Sequence, residues 1–234
     1  MPYDPTTHNK ILLQILKEIF TDTSIAAVLG FKGGTAAYLF YNLDRFSVDL
    51  DFDLLDQAKE EQVFLKVQQI VKKYGQIKDA RKKRFNLFFL LSYEERQQNI
   101  KIEINRRQFG SQYELKTYLG ISMLVMARQD MFAHKLLAMS ERIGKANRDI
   151  YDIWFFLKNN WPINKKIVEQ RASMSFNQVV QQSIDSLENF SARQVLAGMG
   201  ELLSQKQKDW AREHLISDTI FLFKLMLESE LVKR

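Results

Sequence analysis

Residues 45–52 read RFSVDLDF, and the strand pattern that starts there decides the fold assignment. Over residues 48–54, apolar side chains alternate with Asp49, Asp51 and Asp53, and a period of two is typical of a β-strand. Because side chains two residues apart leave a strand on the same side, the carboxylates of Asp49 and Asp51 share one face. Two like charges about 4 Å apart repel by about 4 kcal/mol at an effective dielectric constant of about 20. The pair is therefore costly unless solvent, a proton or a divalent cation offsets the repulsion.

A third acidic residue favours the cation. Glu103 lies between two apolar residues in a second predicted strand, residues 100–105, and joins the face of Asp49 and Asp51 if the two strands are neighbours in one sheet. Three converging carboxylates form the hard oxygen site that Mg²⁺ prefers. The alternative that the residues leave open is a solvated polar face on an edge strand.

Two adjacent glycines precede the acidic strand in residues 32–35, which read KGGT. Gly33 and Gly34 allow a phosphate to approach the backbone closely, and the helix predicted over residues 35–41 adds amide donors from its first turn. The Gly-Gly-Thr sequence is a weak signal alone, but together with the acidic strand it favours a nucleotide phosphate site.

Calcium binding by an EF-hand loop is the competing cation hypothesis. Asp49, Asp51, Asp53 and Glu60 fall at positions 1, 3, 5 and 12 of such a loop. However, the sixth position, which must turn sharply, holds Leu54 instead of Gly, and the segment has the period of a strand. The three histidines have no metal-ligand spacing, and the chain contains no P-loop or Gly-x-Ser-x-Gly elbow. All of these alternatives are disfavoured.

Mixed elements fill the first half of the chain, and helices alone fill the second. Residues 85–93 and 100–105 form two β-like runs whose polar connection, EERQQN, predicts an antiparallel hairpin. From about residue 128 onward the apolar spacing is helical. This segregation predicts an α+β fold, with a mixed sheet and flanking helices over residues 1–127 and an α-helical bundle over residues 128–234 packed against it. The other predicted elements are helices over residues 8–20, 57–74 and 206–229 and a buried strand over residues 25–31.

Composition places the chain among ordinary globular proteins, since 46% of its 234 residues are hydrophobic and 26% are charged. The absence of Cys excludes a disulfide scaffold, a thiol nucleophile and a Cys-ligated metal, and fits a reducing compartment. The longest apolar stretches fall well short of the roughly 20 residues of a membrane helix, and the first residues do not resemble a signal peptide. We therefore expect a cytoplasmic protein without a membrane partner.

Positive charge is concentrated in one segment. The net charge is +6, and between Lys66 and Arg84 eight basic residues face a single acid, Asp79. A solvated helix-and-strand surface and a surface that follows a phosphate backbone both explain this run, and composition does not separate them.

Residues 32–35 and 45–52 together resemble the Gly-Gly-Thr … Arg-Phe-Ser-x-Asp-Leu-Asp-Phe signature of the AbiEii-type nucleotidyltransferase toxins, a branch of the DNA polymerase β-like superfamily. The resemblance implies a small mixed sheet with flanking helices. It further implies that the glycine turn contacts NTP phosphates and that three acids hold Mg²⁺, with Mn²⁺ as an alternative. The implied nucleotide-binding residues are Gly33, Gly34, Thr35, Arg45 and Ser47, and the implied catalytic and metal-binding residues are Asp49, Asp51 and Glu103.

A second pair of motifs extends the resemblance. Residues 131–138, MFAHKLLA, are similar to the family's Phe-Ala-x-Lys-Leu helix, and residues 148–152, RDIYD, are similar to its Arg-Asp-x-x-Asp motif. These imply a catalytic and nucleotide-binding role for Lys135 and nucleotide binding by Arg148 and Asp152.

The residues themselves allow more than one interpretation of these motifs. A lysine in an apolar helical stretch must direct its charge to a partner, which favours a triphosphate for Lys135. Arg148 and Asp152 are spaced for an intrahelical ion pair as well as for a ligand. Asp149 and Asp152 are expected to lie off the buried stripe of their helix. No role is assigned to residues 158–234.

The resemblance implies a Mg²⁺-dependent nucleotidyltransferase that transfers NMP from an NTP to an RNA acceptor, with tRNA as a candidate. It also implies a toxin of a toxin–antitoxin or phage-defence system, with a cognate antitoxin as a partner and no DNA partner. Nucleotidylation of a protein and a non-catalytic nucleotide- or RNA-binding module remain as alternatives.

Overall fold

The computed structural model describes residues 5–94 and 99–232. The chain divides into two compact units, Met1–Met126 and Ala127–Arg234. The packing of one unit against the other stays a prediction.

The first unit contains a mixed seven-stranded sheet with flanking helices, which confirms the predicted fold class. The sheet order is β3-β4-β5-β2-β1-β7-β6, with β2 parallel to β5, β1 parallel to β7 and the remaining pairs antiparallel. The elements are α1 (Pro5–Thr21), β1 (Leu29–Lys32), α2 (Gly33–Tyr41), β2 (Leu50–Leu54), α3 (Glu60–Lys72), β3 (Gln76–Lys82), β4 (Asn86–Ser92), β5 (Ile100–Asn105), β6 (Tyr113–Tyr118) and β7 (Ile121–Met126).

The side chains of the acidic strand alternate between the two faces of the sheet, as predicted. The apolar residues Leu50, Phe52 and Leu54 are buried on one face of the sheet. The ring of Phe52 lies 5.3 Å from that of Phe31 and 6.0 Å from that of Phe20 at the end of α1, measured between centroids. This aromatic cluster occupies the helix-covered face of the sheet and leaves the acidic residues on the other face.

Several predicted elements need adjustment. The predicted strand over residues 25–31 is a short 3-10 turn followed by β1, and α2 starts directly at Gly33. The antiparallel pairing of β4 with β5 confirms the predicted hairpin, whose connecting residues 95–98 lie outside the described residues. Three strands were not predicted: β3, which lies in the basic segment, and the β6–β7 hairpin.

The second unit is helical, as predicted. It consists of α4 (Arg128–Arg142), α5 (Arg148–Lys158), α6 (Lys165–Ala172), α7 (Phe176–Glu188) and α8 (Gln205–Val232), with short 3-10 turns between α7 and α8. A capping box at the start of α7 joins Ser175 and Gln178 reciprocally, which satisfies donors that the first turn would otherwise leave unpaired. None of the helices within residues 5–94 and 99–232 combines the length and apolarity that a membrane span needs.

Candidate active site

The turn between β1 and α2 requires both of its glycines. Gly33 has a φ of +80°, and a Cβ there would lie 2.4 Å from Oδ2 of Asp51. A Cβ on Gly34 would lie 2.8 Å from Oγ of Ser47 and 2.9 Å from Nη2 of Arg45. The Gly-Gly pair thus lets the backbone of the turn pack directly against the acidic strand and the residues that lead into it.

The first turn of α2 also fixes the backbone at Asp49. Thr35 Oγ1 donates to the carbonyl oxygen of Asp49 at 2.5 Å and lies 3.0 Å from Ser47 Oγ. Arg45 donates from Nη1 to the carbonyl oxygen of Phe46 at 2.8 Å. Because Thr35, Ser47 and Arg45 are buried, the structure gives them a positioning role. Their direct contact with a nucleotide stays a prediction.

The strands that carry the three predicted acids are neighbours. β2 and β5 pair in parallel, and Asp51 and Glu103 are Cα partners, so their side chains lie on the same face. Lys101 Nζ lies 3.4 Å from Asp49 Oδ2 and 3.4 Å from Glu103 Oε2. Asn86 Nδ2 donates to Glu103 Oε1 at 3.0 Å. One ammonium group therefore bridges two of the three carboxylates.

The acidic face matches a divalent-cation site in its donor chemistry but not in the spacing of its side chains. Within the described parts of the chain, no group of three or more His, Cys, Asp or Glu side chains is close enough together to hold a metal ion. However, Asp49, Asp51 and Glu103 supply only oxygen donors, which is the chemistry of a Mg²⁺ site. The ammonium group of Lys101 already lies between two of these carboxylates. The residues therefore fit a cation at this face in chemistry, and a metal would compete with Lys101 for it.

The third aspartate of the acidic strand has a different role. Asp53 is buried, and Lys32 Nζ, Tyr113 Oη and Asn105 Nδ2 each lie 2.6 Å from one of its carboxylate oxygens. Burial alone would raise the pKa of Asp53, but the charge of Lys32 and these three hydrogen bonds outweigh it and hold the pKa below its usual value. Asp53 is thus committed to protein partners, and its segment is a strand, which excludes the EF-hand loop.

In the second unit, the charge of Lys135 is directed to two carboxylates. Lys135 Nζ lies 2.8 Å from Asp149 Oδ1 and 2.7 Å from Asp152 Oδ2. Arg142 Nη2 lies 2.7 Å from Asp149 Oδ2, as an ion contact without hydrogen-bond geometry. Both aspartates are fully buried, so the expectation that they lie off the buried stripe is wrong. They tolerate burial because Lys135, on the neighbouring helix α4, compensates their charge.

Sequence reasoning missed several residues of the first unit. Lys101 and Glu103 are two apart on β5 and share a face, so the alternation of residues 100–105 could have placed Lys101 beside the acids. Tyr113 gave no such signal, because it reaches Asp53 from a strand 60 residues along the chain.

The comparisons with known proteins agree with this architecture. The family model described as "Nucleotidyl transferase AbiEii toxin, Type IV TA system" matches residues 14–214. The fold is similar to that of a protein from H. pylori described as a candidate nucleotidyltransferase, with a TM-score of 0.57, 17% identity and 96% of each chain covered. It is also similar to JHP933 from Helicobacter pylori, with a TM-score of 0.56, 18% identity and 98% of each chain covered. The comparison with curated proteins finds no match.

At such identities the two solved structures establish the fold alone, whereas the family match spans most of the chain. The chain therefore belongs to the AbiEii family of nucleotidyltransferase toxins of type IV toxin–antitoxin systems.

Proposed function

We propose that this nucleotidyltransferase uses Mg²⁺, or Mn²⁺ in its place, to transfer NMP from an NTP to a hydroxyl group of an RNA, with tRNA as a candidate acceptor. The observation that carries the proposal is the contact of the glycine turn with the acidic face. Asp51 lies against Gly33 on one side and is the Cα partner of Glu103 on the other. A phosphate at the turn would therefore lie beside the carboxylates.

Each group has a distinct task in the proposed reaction. The acceptor oxygen forms a bond to the α-phosphorus, the bond from that phosphorus to the leaving pyrophosphate breaks, and the hydroxyl proton passes to Glu103 or to solvent. Asp49, Asp51 and Glu103 would hold the cation, which when bound neutralises phosphate charge and favours ionisation of the attacking hydroxyl. The backbone at Gly33 and Gly34 would contact the triphosphate.

The remaining partners are also proposals. Lys135, Arg148 and Asp152 are assigned to the triphosphate by their motifs, and Lys135 keeps 13% of its side chain exposed while it compensates two buried aspartates. A cytoplasmic location, a cognate antitoxin and the absence of a DNA partner follow from the same assignment.

The test incubates the purified chain with Mg²⁺, each α-³²P-labelled NTP in turn, and a cell extract that contains RNA and protein. We expect label in a small-RNA band, and no label with the double variant Asp49→Asn/Asp51→Asn. Asp56→Asn is the matched control, because it removes one half-buried carboxylate just beyond the end of the same strand and Asn also serves as an N-cap.

The outcomes separate the competing functions. Transfer that survives in the double variant would contradict the assignment of the acids. Label in protein instead of RNA would favour protein nucleotidylation. NTP binding without label in either class would favour the non-catalytic module.

A further inference from the structure

A continuous row of side chains crosses the acidic face of the sheet. Successive Cα partners on neighbouring strands are Arg81 on β3, Phe88 on β4, Glu103 on β5, Asp51 on β2 and Lys32 on β1. Because directly opposed residues project from the same face, these five side chains lie on one side of the sheet. The acids at its centre separate the glycine turn, which follows Lys32, from the strands β4 and β3.

The order of these residues indicates the side from which the acceptor reaches the phosphorus. Because it presumes the transfer reaction, this inference rests on the proposed function. In phosphoryl transfer, the attacking and leaving oxygens lie roughly in line on opposite sides of the phosphorus. If the leaving pyrophosphate lies at Gly33, on the β1 side of Asp51, the acceptor hydroxyl arrives from the Glu103 side. The acceptor chain then crosses β4 and β3, the outer of which lies three strand spacings, or about 14 Å, from Asp51.

The surface along that path is basic. Lys83 Nζ lies 3.3 Å from the centroid of the Phe88 ring, and Arg81 Cζ lies 6.0 Å from it. Arg81 is 63% exposed and pairs with Asp79, whereas Lys83 has no carboxylate partner among the described residues. Both cations thus lie on the Glu103 side of the row and can meet phosphate groups.

An exposed aromatic ring lies at the turn between β3 and β4. Phe85 is 45% exposed, and the guanidinium carbons of Arg84 and Arg107 lie 4.9 Å and 4.8 Å from its ring centroid. Neither arginine pairs with a carboxylate within the described ranges of the chain. A ring with guanidinium groups around it is a surface on which an unpaired base stacks.

We propose that Arg81, Lys83, Arg84, Phe85 and Arg107 form an acceptor surface for single-stranded RNA. Its cations contact the phosphates next to the terminal hydroxyl, and Phe85 stacks with an unpaired base. Positive charge alone would also suit an acidic protein, but the exposed Phe85 between arginines favours a nucleic-acid strand.

The adjacent residue provides a matched control. Lys82 follows Arg81 directly but lies on the opposite face, where its Nζ pairs with Glu61, lies 3.8 Å from Glu60 Oε1 and lies 5.5 Å from the centroid of the Phe64 ring on α3. Lys82→Ala therefore removes one charge from the same strand without altering the acceptor surface.

The experiment measures binding of a fluorescein-labelled single-stranded RNA of about a dozen nucleotides by anisotropy at several salt concentrations, without NTP. We expect Arg81→Ala/Lys83→Ala to weaken binding about tenfold or more and to lower the salt-dependence slope by about 1.4, since each lost phosphate contact contributes about 0.7. Phe85→Ala should weaken binding by about tenfold, and Phe85→Trp should restore it. Lys82→Ala should bind as the unaltered protein does.

A separate measurement distinguishes failure of this proposal from failure of the proposed function. Binding of a fluorescent NTP analogue should be the same in all these variants, because the glycine turn is unaltered. RNA binding that depends on Arg81, Lys83 and Phe85 supports the acceptor surface even if no nucleotide is transferred. Unaltered RNA affinity in the double variant and in Phe85→Ala would overturn it, as would transfer to a protein by a chain that does not bind the RNA.

Discussion

Lys32 Nζ lies 2.6 Å from Asp53 Oδ1, and this ion pair joins the neighbouring strands β1 and β2 through side chains that are 22% and 9% exposed. Asn105 on β5 and Tyr113 on β6 donate to the same carboxylate. One aspartate therefore connects four strands of the sheet. Its neighbour two residues earlier, Asp51, shares the face but lies against the glycine turn.

Replacing Asp53 by Asn should destabilise the first unit in a pH-dependent way. Asn keeps the shape but removes the charge that Lys32 compensates, so we expect the free energy of unfolding to fall by about 1.5–3 kcal/mol at neutral pH. Because the folded-state pKa of Asp53 lies below the usual 3.8, its contribution is present above 3.8 and is lost as the pH falls through the lower folded value. Urea unfolding from neutral pH towards acid should show the difference shrinking.

The control for this prediction is Asp56→Asn, because Asp56 is a half-buried N-cap with no ion pair among the described residues and Asn also serves as an N-cap, so this variant should lose little stability. A stability difference for Asp53→Asn that stays constant from neutral to acid pH would contradict the assigned role of its charge.

Replacing Gly33 by Ala should remove activity out of proportion to stability. The backbone strain at positive φ costs about 1–2 kcal/mol, and the added Cβ must displace the carboxylate of Asp51. A misplacement of about 1 Å at a reacting centre lowers the rate by about 100-fold. Gly120→Ala is the control, because Gly120 also has a positive φ, +78°, but no atom lies within 4 Å of its added Cβ.

Measured together, NTP-transfer rates and urea unfolding separate the two contributions. Both variants should lose stability, Gly33→Ala the more because its Cβ also displaces Asp51, and only Gly33→Ala should lose transfer. Equal transfer rates in the two variants would show that the position of Asp51 does not control the reaction.

Replacing Lys101 by Met should increase the amount by which Mg²⁺ stabilises the folded protein. In the metal-free protein the ammonium group offsets the repulsion between Asp49 and Glu103, so its loss should lower the melting temperature. It should also remove the competitor of a divalent cation and tighten Mg²⁺ binding by about tenfold, or about 1.4 kcal/mol. Thermal unfolding with and without Mg²⁺ measures both effects.

Lys116→Met is the matched control for this prediction, since Lys116 is equally exposed, at 28% against 29%, and pairs with the single carboxylate of Glu114. Identical Mg²⁺ stabilisation of both variants would place the cation site elsewhere.

The alternation of residues 48–54 predicted which face of the strand carries the acids. It did not predict that Asp53 contacts different groups from Asp49 and Asp51. The period of two put Asp49, Asp51 and Asp53 on one face, which the structure confirms for the strand. Only the partners from distant strands distinguish Asp53 from the other two, and residues 21 and 60 positions away leave no trace in a local window. The assignment of Asp49, Asp51 and Glu103 to a metal stays a prediction.

The missed hairpin and the buried aspartates have related physical causes. The turn between β6 and β7 places both Leu119 and Gly120 at positive φ, a conformation for which Asn-Gly is the usual signal and Leu is not. The sequence pattern predicts Asp149 and Asp152 off the buried stripe of their helix, because Ile150, Ile153, Trp154 and Leu157 form that stripe. Their burial depends on Lys135, which lies on a different helix.

Replacing Lys135 by Met should lower the free energy of unfolding of the second unit by more than the loss of an exposed ion pair does. The change removes the cation that the buried Asp149 and Asp152 share and leaves Asp149 with the half-exposed Arg142, and breaking a buried pair costs about 3–5 kcal/mol. Lys224→Met is the control, because Lys224 contacts Glu188 at the same 2.8 Å but both side chains are about half exposed. Its cost should not exceed about 1 kcal/mol.

Urea unfolding of the two variants measures this difference, and a third variant identifies its cause. Adding Asp149→Asn and Asp152→Asn to Lys135→Met removes the two buried charges that Lys135 contacted, so we expect the triple variant to recover part of the lost stability. NTP binding by the triple variant then reports the joint contribution of Lys135 and Asp152 to the triphosphate site. If Lys135→Met is as stable as the unaltered protein, other groups compensate the two aspartates, and the contribution of Lys135 to stability is contradicted.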